Sequence, residues 1–231
     1  MNSSPVSSLQ TSIHENLERL VLKHQATVYL RPIPDFSRQV FAEILNAVHQ
    51  YQHSTLQTRI ILDSCCGTGE SMAQIAAQNP TAFVIGCDKS AHRTKRHVAH
   101  EVSNYGIWRA DVEDVWRLLG AWLQENGEVE GARRLKKHFL LYPNPYPKPH
   151  HILRRWHGHP LFPTMLALAD ETELRTNWRI YAEEFARGAS ILGYAASMEE
   201  YIPQQQAMTA FERKYAASGH TLYRVVVAAG A

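Results

Sequence analysis

Arg59-Ile-Ile-Leu-Asp63-Ser-Cys65-Cys66-Gly67-Thr-Gly69 is the stretch on which the fold turns. A short apolar run ends on an acid, and two glycines follow where GluSerMetAlaGlnIleAlaAlaGln takes up a helical rhythm. That is a buried strand running into a glycine loop that opens a helix. Downstream the rhythm repeats: AlaPheValIleGlyCysAsp88, a basic helix from Ser90 to about Val102, GlyIleTrpArgAla ending at Asp111, then an amphipathic helix with Val115, Leu118, Leu119 and Trp122. HisPheLeuLeuTyr is a fourth strand, broken by ProAsnProTyrPro. A helix near Leu161 to Leu168, a strand near Leu174, a helix from about Trp178 to Ala186, and the strands SerIleLeuGlyTyr and TyrArgValValVal complete the series. Between the last two, Met208 to Ser218 reads as a helix stopped by Gly219. Alternating strands and helices predict an α/β fold, a mostly parallel central sheet with helices on both faces. Upstream, Ile13, Leu17, Leu20 and Val21, then Phe41, Ile44, Leu45 and Val48, recur at helical spacing. Residues 1–57 are therefore expected to be a tail and two helices, with disorder over 1–9, and residues 58–231 the main domain.

A chain of 231 residues with 45% hydrophobic and 20% charged residues builds its core without staples. Cys65, Cys66 and Cys87 make no disulfide framework and share no metal-ligand spacing with His, so no metal site is expected. No basic leader precedes an apolar stretch at the N-terminus, and no apolar run reaches the ~20 residues of a membrane span. A reducing cytoplasm is the expected compartment. The net charge of +2 conceals an imbalance: Gly131 to Ala169 contains no Asp or Glu but seven Lys/Arg and five His, leaving 17 basic against 22 acidic residues elsewhere. A basic segment on an acidic body suits an anionic partner, phosphates first, unless it is only a solvated loop.

Ligands of such sheets bind beyond the carboxyl ends of the strands. Asp63, Asp88 and Asp111 each close one of three successive strands, and Gly67 and Gly69 let a ligand approach the backbone between them. Asp88 stands 19 residues after Gly69, where an acid can grip both ribose hydroxyls, and Asp111 is in position to accept from an adenine amine. Each acid also has the competing role of a helix N-cap. The GlyXGlyXXGly spacing of dinucleotide sites is missing, as is the Lys of a phosphate-binding P-loop. An adenosine without a pyrophosphate fits this loop best. The acid-x-Gly-x-Gly-x-Gly pattern resembles motif I of class I S-adenosylmethionine-dependent methyltransferases, with Cys65 where the first Gly usually stands.

Tyr142-Pro-Asn-Pro-Tyr-Pro-Lys-Pro-His-His-Ile-Leu-Arg-Arg resembles the PheProAspProTrp signature, with its downstream Lys, His and Arg pair, of the tRNA (guanine-N7)-methyltransferases. His151 and Arg154 fall on that family's His and first Arg. Thr176-Asn177-Trp178 with Tyr181-Ala182 is similar to its ThrAspTrpXXTyrAla, and Thr209-Ala-Phe-Glu212-Arg with Gly219-His220 to its ThrLysPheGluXArg and later GlyHis. Together the motifs cover roughly residues 59 to 227. The resemblance implies a Rossmann-like class I methyltransferase with an N-terminal helical extension, S-adenosylmethionine as cofactor, and RNA, tRNA above all, as partner. It implies cofactor contacts from Asp63, Cys65, Gly67, Gly69, Asp88 and Asp111. Catalytic positions fall on Asn144, Asn177, Thr209 and Glu212, and substrate contacts on Tyr146, Lys148, His151, Arg154, Arg155 and Thr176. Asn144 and Asn177 depart from the family, which has Asp at both.

Guanine N7 offers a lone pair at neutral pH, so its methylation needs alignment and stabilisation of the arriving positive charge. Asn144 and Asn177 cannot supply a negative charge. Two other readings therefore stand beside guanine-N7 transfer: methylation of an exocyclic amine by the Asn144-Pro-Tyr segment, and an RNA-binding relative without activity. Plainer roles compete residue by residue. Thr209 and Glu212 have the spacing of a capping box, Trp178 and Tyr181 that of core residues, and AsnProTyrPro is also a proline turn.

Overall fold

The structure, a computed structural model, describes residues 3–52, 59–126, 134–203 and 206–229. Helices α1 (Leu17–Gln25) and α2 (Asp35–Gln52) precede an alternating series. It runs β1 (Arg59–Ser64), α3 (Glu70–Gln78), β2 (Ala82–Asp88), α4 (Ala91–Thr94), β3 (Tyr105–Arg109), α5 (Val112–Asn126) and β4 (Leu135–Leu141). Two short 3₁₀ turns (Pro149–Arg154 and Trp156–Gly158) lead to α6 (Phe162–Ala167), β5 (Ala169–Thr176), α7 (Arg179–Ile191), β6 (Ala195–Tyr201), α8 (Ala210–Ala217) and β7 (Leu222–Ala228). The strands form one mostly parallel seven-stranded sheet in the order β3-β2-β1-β4-β5-β7-β6. β1, β2 and β3 run parallel, with Asp63 opposite Gly86 and Asp88 opposite Arg109, whereas β7 is antiparallel to both β5 and β6. The chain lays β1 to β3 outward and then returns to the far side of β1, so the strand order reverses there. In open α/β sheets that reversal marks the ligand site.

Two compact units share these elements: Met1–Leu30, Leu140–Ala167 and Glu171–Ala231 make one, and Arg31–Phe139 with Leu168–Asp170 the other. The 57/58 boundary expected from the sequence lies outside the described residues. In the unit built on β1 to β3, the strands are buried runs (Ile60 to Leu62, Ala82 to Ile85) covered by Met72 and Ile75 of α3 and by Val115, Trp116 and Leu119 of α5. Val40, Phe41, Ile44 and Val48 of α2 share one face at helical period and are buried, α2 packing on α5 and β3. Buried Ser37 donates to Asp114 Oδ2 at 2.7 Å. The Asn104 amide donates to the carbonyls of Ala76, Asn79 and Ala82, tying the end of α3 to the start of β2. In the other unit, Leu17, Leu20 and Val21 of α1 are buried, α1 packing on α6 and α7, whose own buried face is Tyr181, Ala182, Phe185 and Ala189.

Three local expectations change. The basic helix expected from Ser90 to Val102 is one turn, α4, capped by Ser90 Oγ on Arg93 N–H; it buries no side chain, so no packing sustains a longer helix among clustered cations. SerIleLeuGlyTyr is the end of α7, closed by Gly193 at φ 85° with Tyr194 N–H donating to Ala189 O, and the strand begins at Ala195. Residues 3–9 are pinned, Ser3 N–H donating to Ser218 Oγ at 2.9 Å and Ser8 Oγ to Pro147 O at 2.6 Å.

Gly86 lies in β2 beneath Met72, whose Sδ sits 1.6 Å from where an added Cβ would stand. Gly86→Ala is expected to destabilise by about 1–3 kcal/mol through overpacking of this buried contact. A urea titration checks it, an unchanged midpoint meaning that Met72 swings aside freely.

Candidate active site

The glycine loop leaves the carboxyl end of β1. Asp63 is buried; its Oδ2 accepts from Ser71 Oγ at 2.5 Å, and its Oδ1 has no partner among the described residues. Burial foremost, with Asp88 adding repulsion, raises its carboxyl to about 7 against the pull of the Ser71 hydrogen bond. Cys65 follows at φ 60°, a left-handed conformation costing a side chain roughly 1–2 kcal/mol. This is the position at which the motif it resembles has glycine, and a left-handed backbone suits that residue. Cys65 is exposed, yet desolvation by its neighbours, with repulsion from Asp88 and Asp63, pushes its thiol up to about 12. Gly67 and Gly69 are also at positive φ (64° and 79°). An added Cβ at Gly67 would meet nothing within 4 Å, so the loop is open there; at Gly69 it would lie 2.7 Å from His97 Nδ1.

Asp88 joins this loop. It is 1% exposed, its Oδ2 accepting from Gly67 N–H at 3.0 Å and its Oδ1 from Ser90 N–H at 2.8 Å, with Arg93 Nη2 at 3.1 Å. Asp111 is half-buried: Oδ1 accepts from Glu113 N–H in the first turn of α5, and Oδ2 pairs with Arg31 at 3.3 Å. Asp111 thus fills the N-cap role weighed for it, whereas α4 is capped by Ser90 and Asp88 only holds the Ser90 N–H ahead of that helix. Sequence reasoning missed His97, whose Nδ1–H donates to Thr68 O at 2.8 Å while its Nε2 accepts from Tyr105 Oη at 3.1 Å. Nothing in its spacing announces that contact.

A second cluster belongs to the other unit. Glu212, wholly buried, accepts from Arg175 Nη1 at 2.8 Å, Tyr142 Oη at 3.4 Å, Tyr201 Oη and Met208 N–H. Thr209 caps α8, its Oγ1 accepting from Glu212 N–H at 3.0 Å, so the capping arrangement is present. Arg175 also holds Glu173 at 2.7 Å, and Glu173 in turn holds Arg224 at 3.0 Å. Burial, together with Tyr201 and Glu212, raises the Tyr142 hydroxyl far above its ordinary range, so it stays protonated and donating. Asn177 Nδ2–H donates to His220 Nδ1 at 3.0 Å. Buried Thr176 accepts from Trp178 N–H at 3.2 Å.

Asn144 is exposed, and its Oδ1 accepts from Tyr146 N–H at 3.3 Å in a turn that sets Tyr146 at φ 44°. The Tyr146 ring carries Arg154 at 5.7 Å and meets His151 edge-on at 6.0 Å. The His151 imidazole is lowered from its ordinary range by desolvation foremost, and then by the coulombic influence of His150, Arg154 and Lys148 around it. Lys148 and Arg154 are exposed, as a phosphate contact requires, while Gly131 to Arg133 lie outside the described residues.

Arg155 corrects the sequence expectation of a phosphate-facing guanidinium. It is wholly buried, bonding Glu184 Oε2 at 2.6 Å, Gln10 Oε1 at 2.9 Å and the Tyr146 carbonyl at 3.2 Å, with its plane 4.8 Å from the Trp178 ring centre. Glu184 also accepts from His157 Nε2 at 2.8 Å, Gln10 Nε2 at 2.6 Å and His14 N–H at 2.9 Å. A clue was available: Glu184 shares the apolar face of α7 with Tyr181 and Phe185, and a carboxylate there demands buried donors.

With this geometry in hand, the fold is that of class I S-adenosylmethionine-dependent methyltransferases. The 16S rRNA methyltransferase KamB superposes with a TM-score of 0.53 at 15% identity over 79% of this chain and 93% of its own. The 16S rRNA (adenine(1408)-N(1))-methyltransferase of Catenulisporales acidiphilia, solved with cosubstrate SAM, does so at 0.53 and 15% over 88% and 94%. A family model described as "Putative methyltransferase", the family of the tRNA (guanine-N7)-methyltransferases, matches residues 57–225, and the chain belongs to that family. A tRNA (guanine-N(7)-)-methyltransferase of Jannaschia sp. (strain CCS1) is 32% identical over 94 residues, 39% of this chain and about a third (35%) of that relative.

The glycine loop fits such a cofactor. S-adenosylmethionine carries an ammonium and a sulfonium; the loop is open where a Cβ of Gly67 would stand, and the buried Asp63 carboxyl at the end of β1 has one oxygen, Oδ1, without a partner among the described residues.

Two predictions follow from these clusters. Asp88→Ala removes the acceptor of Gly67 and Ser90 N–H together, and is expected to weaken S-adenosylmethionine binding by roughly 1.5–3 kcal/mol in calorimetry. Unchanged affinity would separate Asp88 from the cofactor. Burial alone would raise Glu184, but His157 and Arg155 outweigh it and hold the carboxyl at about 2 against an ordinary 4.5. Its contribution to stability is therefore complete above pH 4.5 and is lost as pH falls toward 2. Glu184→Gln should cost about 3–5 kcal/mol at pH 7, by leaving Arg155 buried without its counter-charge, and should flatten that acid limb in denaturation curves taken at both pH values.

Proposed function

We propose that this protein transfers the methyl group of S-adenosylmethionine to RNA, with guanine N7 of tRNA as its target. The observation that carries the reading is the gathering of the family's separate motifs in one unit, the Tyr142 segment, Thr176-Asn177, Thr209-Glu212 and His220 being linked by the hydrogen bonds of Glu212 and Asn177. The cofactor supplies an electrophilic methyl group; Gly67, Gly69, Asp63 and Asp88 are the residues that would hold it. N7 needs no base to take a proton. The chain's own task is to hold the purine and to oppose the positive charge it acquires.

Glu212 is the carboxylate at a motif position. Its charge is shared with Arg175, and Tyr142 and Tyr201 stand among its donors, so it acts on a base by ordering these hydroxyls. Exposed Arg154 and Lys148 serve as phosphate contacts beside the Tyr146 ring. Chemistry on a stacked or paired base further requires the nucleotide to be drawn out. Asn144 retains acceptor capacity without charge. Among the described residues no helix is long and apolar enough to cross a membrane, and the cytoplasm, where tRNA is modified, is the proposed compartment.

Incubation with labelled S-adenosylmethionine and total tRNA, followed by mass spectrometry of the nucleosides, tests the reading: 7-methylguanosine is expected. Asn144→Asp should raise turnover, about tenfold for ~1.4 kcal/mol of added transition-state stabilisation. A lower rate in that variant, with an N-methylated exocyclic amine as product, would transfer the role to Asn144 itself. Binding of tRNA without any transfer would leave an RNA-binding relative.

A further inference from the structure

Gly219-His220 is a motif to which nothing above assigns a task. Gly219, at φ 73°, ends α8, and His220 N–H closes the turn on Tyr215 O at 3.1 Å. The His220 ring stacks on Tyr215, the centroids 5.3 Å apart and the planes 16° from parallel. So held, it has one nitrogen on each of two partners: Nε2 lies 2.9 Å from the carbonyl oxygen of Ser3, and Nδ1 lies 3.0 Å from Asn177 Nδ2. Ser3 is fixed in turn by its own N–H on Ser218 Oγ.

A carbonyl oxygen only accepts, so Nε2 must carry the proton. In a neutral imidazole Nδ1 is then an acceptor, and of the two ends of the Asn177 amide only the NH₂ can face it. The amide is thereby turned so that Oδ1 is the end left over. No donor reaches that oxygen among the described residues, and the side chain is half-buried. We infer that Ser3, His220 and Asn177 form a relay in which the N-terminal segment fixes the imidazole tautomer, and the imidazole orients the Asn177 amide with Oδ1 as an acceptor toward substrate.

The relay gives meaning to Asn at 177. An amide held by one end presents a defined acceptor with no negative charge. An unheld amide would present either end, and half of its orientations would set NH₂ against a donor. His220 and Ser3 are thus positioning residues, acting through Asn177. That Asn177 meets substrate rests on the methyl-transfer reading; the tautomer does not.

Long-range ¹H–¹⁵N spectra of the full chain, with the His220 resonances identified by their loss in His220→Phe, read the ring directly. A neutral ring protonated at Nε2 is expected, and a ring protonated at Nδ1, or at both nitrogens, at pH 7.5 overturns the relay. Deleting residues 1–7 removes the Ser3 carbonyl and should leave the ring a mixture of tautomers; a ring unchanged by the deletion also overturns it. His220→Phe keeps the stack on Tyr215 but not the nitrogens. It should lower kcat on tRNA roughly ten- to a hundredfold through misorientation, leave S-adenosylmethionine affinity unchanged, and recover most of its rate as His220→Gln, which restores one acceptor and one donor. The deletion and His220→Phe should be non-additive when combined, because they break one chain of bonds. An unchanged kcat in His220→Phe overturns the positioning role. If the parent transfers no methyl group to tRNA, the functional reading fails, and the two spectra alone decide the relay.

Discussion

A carboxylate with no exposure to water is stable only where donors surround it, and Glu184 is the point on which its unit is organised. It lies on the buried face of α7 and draws in Arg155 and His157 from the 3₁₀ turns and Gln10 and His14 from the N-terminal segment. Arg155 passes the constraint on, through its bonds to the Tyr146 and Lys148 carbonyls, to the proline-rich loop that carries Asn144. Hydrophobic packing of α1 on α7 contributes attraction without direction. The ionic cluster adds direction, because each guanidinium and imidazole hydrogen bond is met at only one angle.

The glycine loop solves a different problem with the same means. Its backbone turns sharply at the end of β1, with positive φ at Cys65, Gly67 and Gly69, and closes its Cys66 and Gly69 N–H groups on the carbonyls of Cys87 and Cys66. Asp88 accepts from Gly67 N–H, and His97 donates to Thr68 O, so the turn is held by one side chain on each polarity of the peptide. Asp63 remains a buried carboxyl with one oxygen unpartnered among the described residues, an arrangement unfavourable by itself.

Around Glu212 the charges are arranged in alternation. Two carboxylates, Glu173 and Glu212, flank Arg175, and Arg224 closes the row against Glu173 and Glu199. This balance explains how a wholly buried Glu212 persists at a motif position, with Tyr142 and Tyr201 as its hydroxyl donors. Glu212 thus keeps a negative charge among these motifs, behind the Tyr142 and Tyr201 hydroxyls, while Asn144 and Asn177 carry none.

The sequence by itself determined the alternation of strands and helices, the glycine loop with Asp63 and Asp88, and the four family motifs, because local periodicity, turn chemistry and motif spacing are written in neighbouring residues. It also contained the special place of Cys65, as a missing glycine. Tertiary structure alone decided that Arg155 faces Glu184 and not phosphate, since two adjacent arginines look alike until one is buried. It decided likewise that the basic run after Ser90 is a single helical turn, and that SerIleLeuGlyTyr ends a helix, since a short apolar run suits either element until packing and a closing glycine choose. Ser3, more than two hundred positions from His220, meets it only because the fold returns the last helix to the first residues. Contacts of that range are set by packing of whole elements, and no local pattern encodes them.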